Sequence, residues 1–358
     1  MPLEIFVPNT GQGDCTYVRF ANGKNMLVDM NKSTTDVDII EFLRDKIKKT
    51  YHSDIDKTCR RINYFVNTHP HEDHLRGIAE LDSDEFYIDK IWESDHRLYV
   101  PKEKQAEYPH YYAFLSLVNK LKKRSAVRVL KAGRACFEEI GSAKIYVFAP
   151  SQYLTDSSSR EDIHNQCGIL KIEYADNSVL FAGDSDRSSW EDRIVPNYSD
   201  DKEIDGKKQS NLLKSTVLHA SHHGSKYFFV KKNNDDDKYK RSMDKIDPRF
   251  TIIPVGKDNK HGHPDKLAVD IYIEKTKYNR VFQTKDDKSI YFAFFSDGKV
   301  QYKKGLSYDQ LVSMKPDESK TITNSLYSST RTLSGYIPTD IELSMPVIIP
   351  KTKREGYM

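Results

Sequence analysis

The stretch THPHEDHLRG, residues 68–77, places three histidines and two acids within six positions. It follows an apolar run, Ile62–Asn67, that predicts a strand. His69 and His71 lie two residues apart, so in extended chain both point the same way. Asp73 and His74 lie where the chain turns toward a predicted helix, and imidazole with carboxylate suits Zn²⁺, Mn²⁺ or Fe²⁺. The stretch therefore predicts a metal site, and the alternative is a histidine-rich surface loop.

Three later segments repeat this pattern, in which an apolar run ends in acids or histidines. SVLFAGDSD delivers Asp184, VLHASHHGSK delivers His222 and His223, and IIPVGKDNKHGHPDK delivers His261 and His263. Strand ends at one edge of a sheet converge in space, so the four segments together predict one site. For SVLFAGDSD an alternative stays open, because Asp184 or Asp186 could cap a helix over residues 187–194.

Composition sets outer bounds on the function. The chain has 358 residues, 30% of them charged, a formal net charge of +3 and a mean hydropathy of -0.70. No strong global field indicates a nucleic-acid or membrane partner, no apolar run reaches the length of a membrane span, and MPLEIFVPNT does not resemble an export leader. The four scattered cysteines match no paired zinc or redox spacing. We expect a cytoplasmic protein with free thiols.

Strand-like runs dominate the chain and alternate with a few helical patterns. The helices are predicted at 38–49, 101–123 and 267–276 from the spacing of their apolar residues. The mixed charge run within 226–248 predicts a solvated insertion. After Gly305 the sequence becomes rich in Ser, Thr and Pro. We predict a domain over 1–305 and an irregular C-terminal extension over 306–358.

With these segments in view, the chain resembles the metallo-β-lactamase superfamily. THPHEDHLRG resembles the superfamily's HxHxDH signature. The segments that occur around it in the family's order are VPNTGQGDC and MLVDM before it, and IHNQCGILKIEY, FAGDSD, HASHHGS, VGKDNKHGHP and QTKDDKSI after it. The GQGD, HHGS and GHP segments resemble the hydrolase domain of ComEC-type DNA-uptake competence proteins. The likeness covers about residues 3–302, although Pro8 and Asn9 depart from the family's opening. It implies an α+β fold, a four-layer αββα sandwich with a dinuclear metal site on one edge.

The resemblance also implies roles for individual residues. It assigns the metal ligands His69, His71, Asp73, His74, Asp184, His223 and His263, with Asp184 between the two ions and His222 as the alternative to His223. Asp29 and Asn165 would support the ligands from behind. Many superfamily members have a histidine near position 164, so whether His164 or Asn165 completes the first site stays open. Asp73, His222 and His223 would act in catalysis, and Lys226 would bind substrate.

The function implied is hydrolysis by hydroxide that two divalent cations, Zn²⁺ or Mn²⁺, activate. The subgroup favours a phosphodiesterase or nuclease. Hydrolysis of a carboxyl derivative (a lactone, thioester or β-lactam) is the alternative, and a metal-stabilised regulator that binds a partner is a third.

The expected partners are a nucleic acid or nucleotide as substrate and a protein bound through residues 306–358, with no membrane. A prokaryotic defence or nucleic-acid processing system is one expected setting. A basic run over residues 120–134 is consistent with phosphate binding and equally with a solvated helix face.

Overall fold

In the computed structural model, the described residues are 1–32, 36–151, 164–257 and 259–322. They belong to one compact unit. The strands are β1 Leu3–Val7, β2 Thr16–Arg19, β3 Asn25–Val28, β4 Met30–Asn31, β5 Thr50–His52, β6 Lys57–Asn67, β7 Leu75–Arg76, β8 Phe86–Glu93, β9 Val127–Val129, β10 Glu138–Ile140, β11 Ala143–Ala149, β12 Ile169–Tyr174, β13 Asn177–Phe181, β14 Glu203–Ile204, β15 Lys207–Lys208, β16 Val217–His219, β17 Phe250–Ile253, β18 Val281–Gln283, β19 Ser289–Phe294 and β20 Val300–Leu306.

The helices lie between these strands. They are α1 Ile39–Lys46, α2 Ile78–Leu81, α3 Pro109–Lys122, α4 Arg187–Ser189, α5 Val195–Tyr198, α6 Arg241–Ile246, α7 Lys266–Lys275, α8 Thr284–Asp287 and α9 Tyr308–Ser313. A π-helix, Trp190–Ile194, joins α4 to α5. Among the described helices, none has the length and apolarity that a bilayer span requires.

Two sheets make up the centre of the molecule. The first has the strand order β20-β19-β1-β2-β3-β6-β8-β9, with β5 beside β6. The second has the order β10-β11-β12-β13-β16-β17-β18. In both sheets one half is antiparallel and the other parallel, the parallel runs being β3-β6-β8-β9 and β13-β16-β17-β18. The parallel halves matter for function because their carboxyl ends carry the predicted ligands.

Three apolar layers hold the sheets and helices together. One lies between the sheets and is built from alternating side chains such as Leu3, Ile5, Val66, Ile172 and Phe292. A second packs the first sheet against α1, α2, α3 and α9, and a third packs the second sheet against the π-helix and α5–α7. Strands buried on both faces explain the near-continuous apolar runs in the sequence. The four-layer αββα arrangement predicted from the sequence is confirmed.

Local sequence sets the helix boundaries. α1 begins where Asp38 accepts hydrogen bonds from the backbone N–H groups of Ile40 and Glu41, as an N-cap acid does. Its apolar face turns inward with Ile39, Ile40, Phe42 and Leu43 buried, as the spacing predicted.

Regular secondary structure continues beyond the predicted domain boundary at 305. Ser307 and Gln310 form a capping box that starts α9, and Leu311 of that helix is buried against the first sheet. Ile322 then pairs with Val300. Residues 323–358 lie outside the described residues, so the predicted extension and its partner role stay predictions.

Candidate metal centre

The loop after β6 is held in place by Asp29, which directly follows β3. Because β3 and β6 are parallel neighbours, Asp29 lies beside the start of the histidine-rich loop. Its carboxylate accepts hydrogen bonds from the Thr68 N–H at 2.7 Å and the Thr68 hydroxyl at 2.6 Å. It also lies 2.9 Å from Nδ1 of His74. A proton on that nitrogen leaves Nε2 of His74 with its lone pair facing the site.

A first cluster of donor atoms comprises His69, His71, His164 and Asp184. One ligand atom from each lies within 4.8 Å of the others. Nε2 of His69 faces Nδ1 of His71 at 2.9 Å and Oδ2 of Asp184 at 3.4 Å. This geometry brings a donor atom of His164 to the cluster.

A second cluster, Asp73, His74 and His223, lies beside the first. Nε2 of His223 is 3.2 Å from Oδ2 of Asp73. The His223 Nδ1–H donates to the Pro254 carbonyl at 2.9 Å, which directs the other nitrogen toward the cluster. His222 and His223 both have left-handed backbone angles, with φ values of 49° and 51°. This turn at the end of β16 sends the two neighbouring imidazoles in different directions.

Asp184 stands between the two clusters. Its Oδ2 faces His69, while its Oδ1 lies 3.2 Å from Nε2 of His74 and 3.9 Å from Nε2 of His223. Its backbone N–H donates to Sγ of Cys167, which fixes the chain behind the carboxylate. One carboxylate with an oxygen toward each cluster is the arrangement that a bridging ligand requires.

The donor set fits divalent cations by its charge and its lack of alternative partners. Oδ1 of Asp184 and Nε2 of His74 and His223 are buried, and among the described residues no hydrogen bond satisfies them. Buried polar atoms without hydrogen-bond partners destabilise a folded protein. A cation bound by the carboxylate oxygen and the imidazole nitrogens would remove that destabilisation. The ligands are imidazole and carboxylate, which suit Zn²⁺ and Mn²⁺.

The pKa shifts show the same concentration of negative charge. Burial alone lowers the pKa of a histidine, and it lowers that of His69 to about 4. At His223 burial acts in the same direction, but Asp184 and Asp73 outweigh it and raise the pKa to about 9. At His74 the carboxylates of Asp184 and Asp29 likewise overcome burial and raise the pKa. The second cluster thus attracts positive charge.

Five of the predicted site residues lie outside both clusters, namely Asp29, His222, His263, Asn165 and Lys226. His263 is half-buried in the wall of the cleft, its ring centre 5.4 Å from that of His222. It follows β17, one strand further from β13 than the strand that carries His223. Asn165 accepts hydrogen bonds from the hydroxyls of Ser188 and Ser189. Lys226 forms an ion pair with Asp235 at 2.5 Å.

Two acids near the clusters were not among the predicted site residues. Asp14, the acid of GQGD, is buried with Oδ1 3.8 Å from Nδ1 of His223, and one of its oxygens groups with His74 and Asp184. Burial raises its pKa to about 7. Asp186 groups with His164 and His222. The Asp-x-Asp spacing of GDSD could have indicated Asp186 from the sequence. Asp14 could be identified only from the structure, which packs its loop against the second cluster.

The clusters open into a cleft of about 640 Å³. Arg76, Lys260 and His261 supply cationic or ionisable groups, and Leu98 and Tyr108 supply apolar surface. The basic run over residues 120–134 does not line this cleft. Several of its members pair within the domain, Lys120 with Asp82, Arg128 with Glu138, and Arg134 with the carbonyls of Asn197 and Ser210.

Metal loading is expected to stabilise the fold measurably. Zn²⁺ at 100 times its dissociation constant should raise the free energy of unfolding by about 2.7 kcal/mol for each site. The measurement is chemical denaturation of chelator-stripped protein with and without Zn²⁺ or Mn²⁺. Ca²⁺ is the control, because it prefers oxygen ligands and should shift the transition less. Equal curves in all four conditions would contradict the proposed fit.

No protein-family model matches the sequence, and no curated protein is detectably similar to it. Solved structures do match. The chain is similar to the metallo-β-lactamase fold protein YhfI from Bacillus subtilis, with 11% identity, a TM-score of 0.41, and 79% of this chain and 96% of that one covered. It is similar to a diphosphatase of the PhnP family, with 12% identity, a TM-score of 0.40, and coverage of 82% and 98%. It is also similar to the CmlA β-hydroxylase E377D mutant, with 14% identity, a TM-score of 0.43, and coverage of 79% and 52%.

Proposed function

We propose that this protein is a metal-dependent hydrolase that cleaves phosphodiesters with two divalent cations. The observation that carries the proposal is the Asp184 carboxylate, whose two oxygens face two separate clusters of imidazole and carboxylate donors. The likeness to the competence-protein domain, stated from motifs, supports the phosphodiester as substrate class. Nucleic acid or a nucleotide is the substrate that we propose within that class.

His69, His71 and His164 would hold one cation, and Asp73, His74 and His223 the other, with Asp184 shared. When bound, such a pair of ions lowers the pKa of water and offsets negative charge that develops on the substrate. The protein's own contribution is to hold the donors in place. Asp29 does so for His74, and the Pro254 carbonyl does so for His223.

The cleft favours an anionic substrate over a neutral carboxyl derivative. Arg76 lines it, and its guanidinium is oriented by a 2.7 Å hydrogen bond to Oδ1 of Asn31. Lys260 is exposed at the same cleft. Both cations would attract phosphate. Lys226, the lysine predicted to bind substrate, does not line this cleft, and its ion pair with Asp235 already occupies its charge.

His222 has the position of a group that meets the substrate. Its side chain is 19% exposed, it lines the cleft, and its Nε2 is 3.8 Å from Oδ2 of Asp184. We propose that it contacts the scissile phosphate or the leaving group, as a histidine at the edge of such a site can.

The test is turnover of bis-p-nitrophenyl phosphate beside a p-nitrophenyl ester, a lactone and a β-lactam, with Mn²⁺ or Zn²⁺. We expect the phosphodiester to be hydrolysed and the His71→Ala variant to lose activity about a hundredfold or more, since a metal contributes several kcal/mol to the transition state. His52→Ala is the matched control, because His52 lies in β5 and does not line the cleft. Turnover of the ester, lactone or β-lactam without turnover of the phosphodiester would show that the proposed substrate class is wrong. Linear and circular DNA, RNA and cyclic dinucleotides then define the natural substrate.

A further inference from the structure

Asp186 occupies a helix N-cap position without acting as a cap. It immediately precedes α4, yet its side chain accepts no hydrogen bond from the first turn of the helix. The backbone around it is well fixed, since the Ser185 hydroxyl accepts from the indole of Trp190 at 2.8 Å and the Ser185 carbonyl accepts from the hydroxyl of Ser221 at 2.6 Å. A carboxylate held this firmly and not used for capping needs another explanation.

Its two oxygens face two histidines. Oδ2 of Asp186 lies 3.4 Å from Nδ1 of His164, and Oδ1 lies 3.7 Å from Nδ1 of His222. Each oxygen of Asp186 therefore faces one imidazole, and in both histidines the nitrogen that it faces is Nδ1. Nδ1 of His222 and Oδ1 of Asp186 are buried and have no hydrogen-bond partner among the described residues, so this contact is the nearest charged one that either atom makes.

The opposite nitrogens face the metal centre. Nε2 of His222 lies 3.8 Å from Oδ2 of Asp184. His164 contributes a donor atom to the first cluster, and with Nδ1 facing Asp186 the atom left for that cluster is Nε2. A carboxylate behind an imidazole keeps the proton on the near nitrogen and the lone pair on the far one.

We propose that Asp186 is a positioning residue that sets the tautomer and orientation of both His164 and His222 toward the metal centre. The inference rests on the metal-binding part of the proposed function. Both contacts are longer than the roughly 2.7–3.2 Å of ordinary hydrogen bonds, and contacts of this kind commonly tighten when an active site is filled. The single carboxylate thus couples one ligand of the first cluster to the histidine at the edge of the cleft.

The test exchanges the carboxylate for an amide of the same shape. In Asp186→Asn one side of the group accepts a hydrogen bond and the other donates one, so the two histidines can no longer both carry a proton on Nδ1. The readout is the tautomer of each imidazole, from the ¹⁵N shifts and long-range ¹H–¹⁵N couplings of zinc-loaded protein. His164→Gln and His222→Gln variants assign the two signals. Asp192→Asn, on the exposed side of the following turn, is the control for the lost charge.

We expect both histidines to carry Nδ1–H in the unaltered protein and in Asp192→Asn, and one of them to change in Asp186→Asn. If it is His164 that changes, zinc should also bind the first cluster about 10- to 100-fold more weakly in a chelator competition. Unchanged tautomers in Asp186→Asn would overturn the proposal. So would a third zinc equivalent that is lost in that variant, because Asp186 would then itself be a ligand.

Neither readout depends on turnover of a substrate. A protein that bound zinc as described but cleaved no phosphodiester would overturn the proposed function and leave the role of Asp186 standing. Circular dichroism of the zinc-free variants checks that they are folded. If Asp186→Asn is not folded, Asp186→Ala gives the same test, because neither imidazole then has a carboxylate to hold its proton.

Discussion

Asp184→Asn is expected to reduce phosphodiester hydrolysis by about a thousandfold, and to leave the protein with at most one tightly bound cation. The amide keeps the shape of the side chain but offers one oxygen instead of two, and it removes the charge that lies between the clusters. Loss of several kcal/mol of metal-derived stabilisation corresponds to a rate effect of about this size. The measurements are steady-state kinetics with bis-p-nitrophenyl phosphate and elemental analysis after dialysis.

Asp192→Asn makes the same chemical change on an exposed position eight residues further along the chain and should behave as the unaltered protein. Because Asp184 is buried, loss of activity through unfolding must be excluded, and thermal unfolding of both variants without metal provides that check. Two metal equivalents with full activity in Asp184→Asn would show that the carboxylate does not bridge the ions.

Gly13→Ala is expected to destabilise the protein by about 3 kcal/mol, through overpacking and a strained backbone. Gly13 has φ of +142°, and an added Cβ would lie 2.4 Å from the carbonyl oxygen of Asp73 and 2.5 Å from Cγ of Asn31. Neither neighbour moves freely, since the Asp14 N–H donates to that same carbonyl and Asn31 donates to the carbonyls of Thr10 and Gln12. Chemical denaturation measures the loss.

The same substitution should also weaken metal binding at the second cluster, because it displaces the backbone of a ligand. Gly23→Ala separates the two causes: Gly23 has φ of +84° with open space around it, so only the backbone strain of roughly 1 kcal/mol applies. Equal destabilisation by both variants would mean that the close packing of the GQGD loop against Asp73 adds nothing to the loss of stability in Gly13→Ala.

Much of the site could be predicted before the structure because its signals are local. The HxHxDH spacing sets the directions of His69 and His71 within a few residues, and the glycine before Asp184 marks a strand end. The supporting role of Asp29 was predicted only through the family resemblance, in which an acid follows this strand. The apolar runs predicted individual strands, since strands buried on both faces leave continuous apolar stretches. The arrangement of those strands in two facing sheets was predicted from the family resemblance.

What the sequence by itself determined is therefore the fold class, the strand ends that carry donors, and the type of ligand. Only the tertiary structure decided which donors meet. His223 reaches Asp73 and His263 does not, because β16 lies directly beside β13 whereas β17 is one strand further away. The left-handed turn at His222 and His223 and the double contact of Asp186 likewise depend on backbone angles and strand order. These are long-range quantities, and residue spacing carries no information about them.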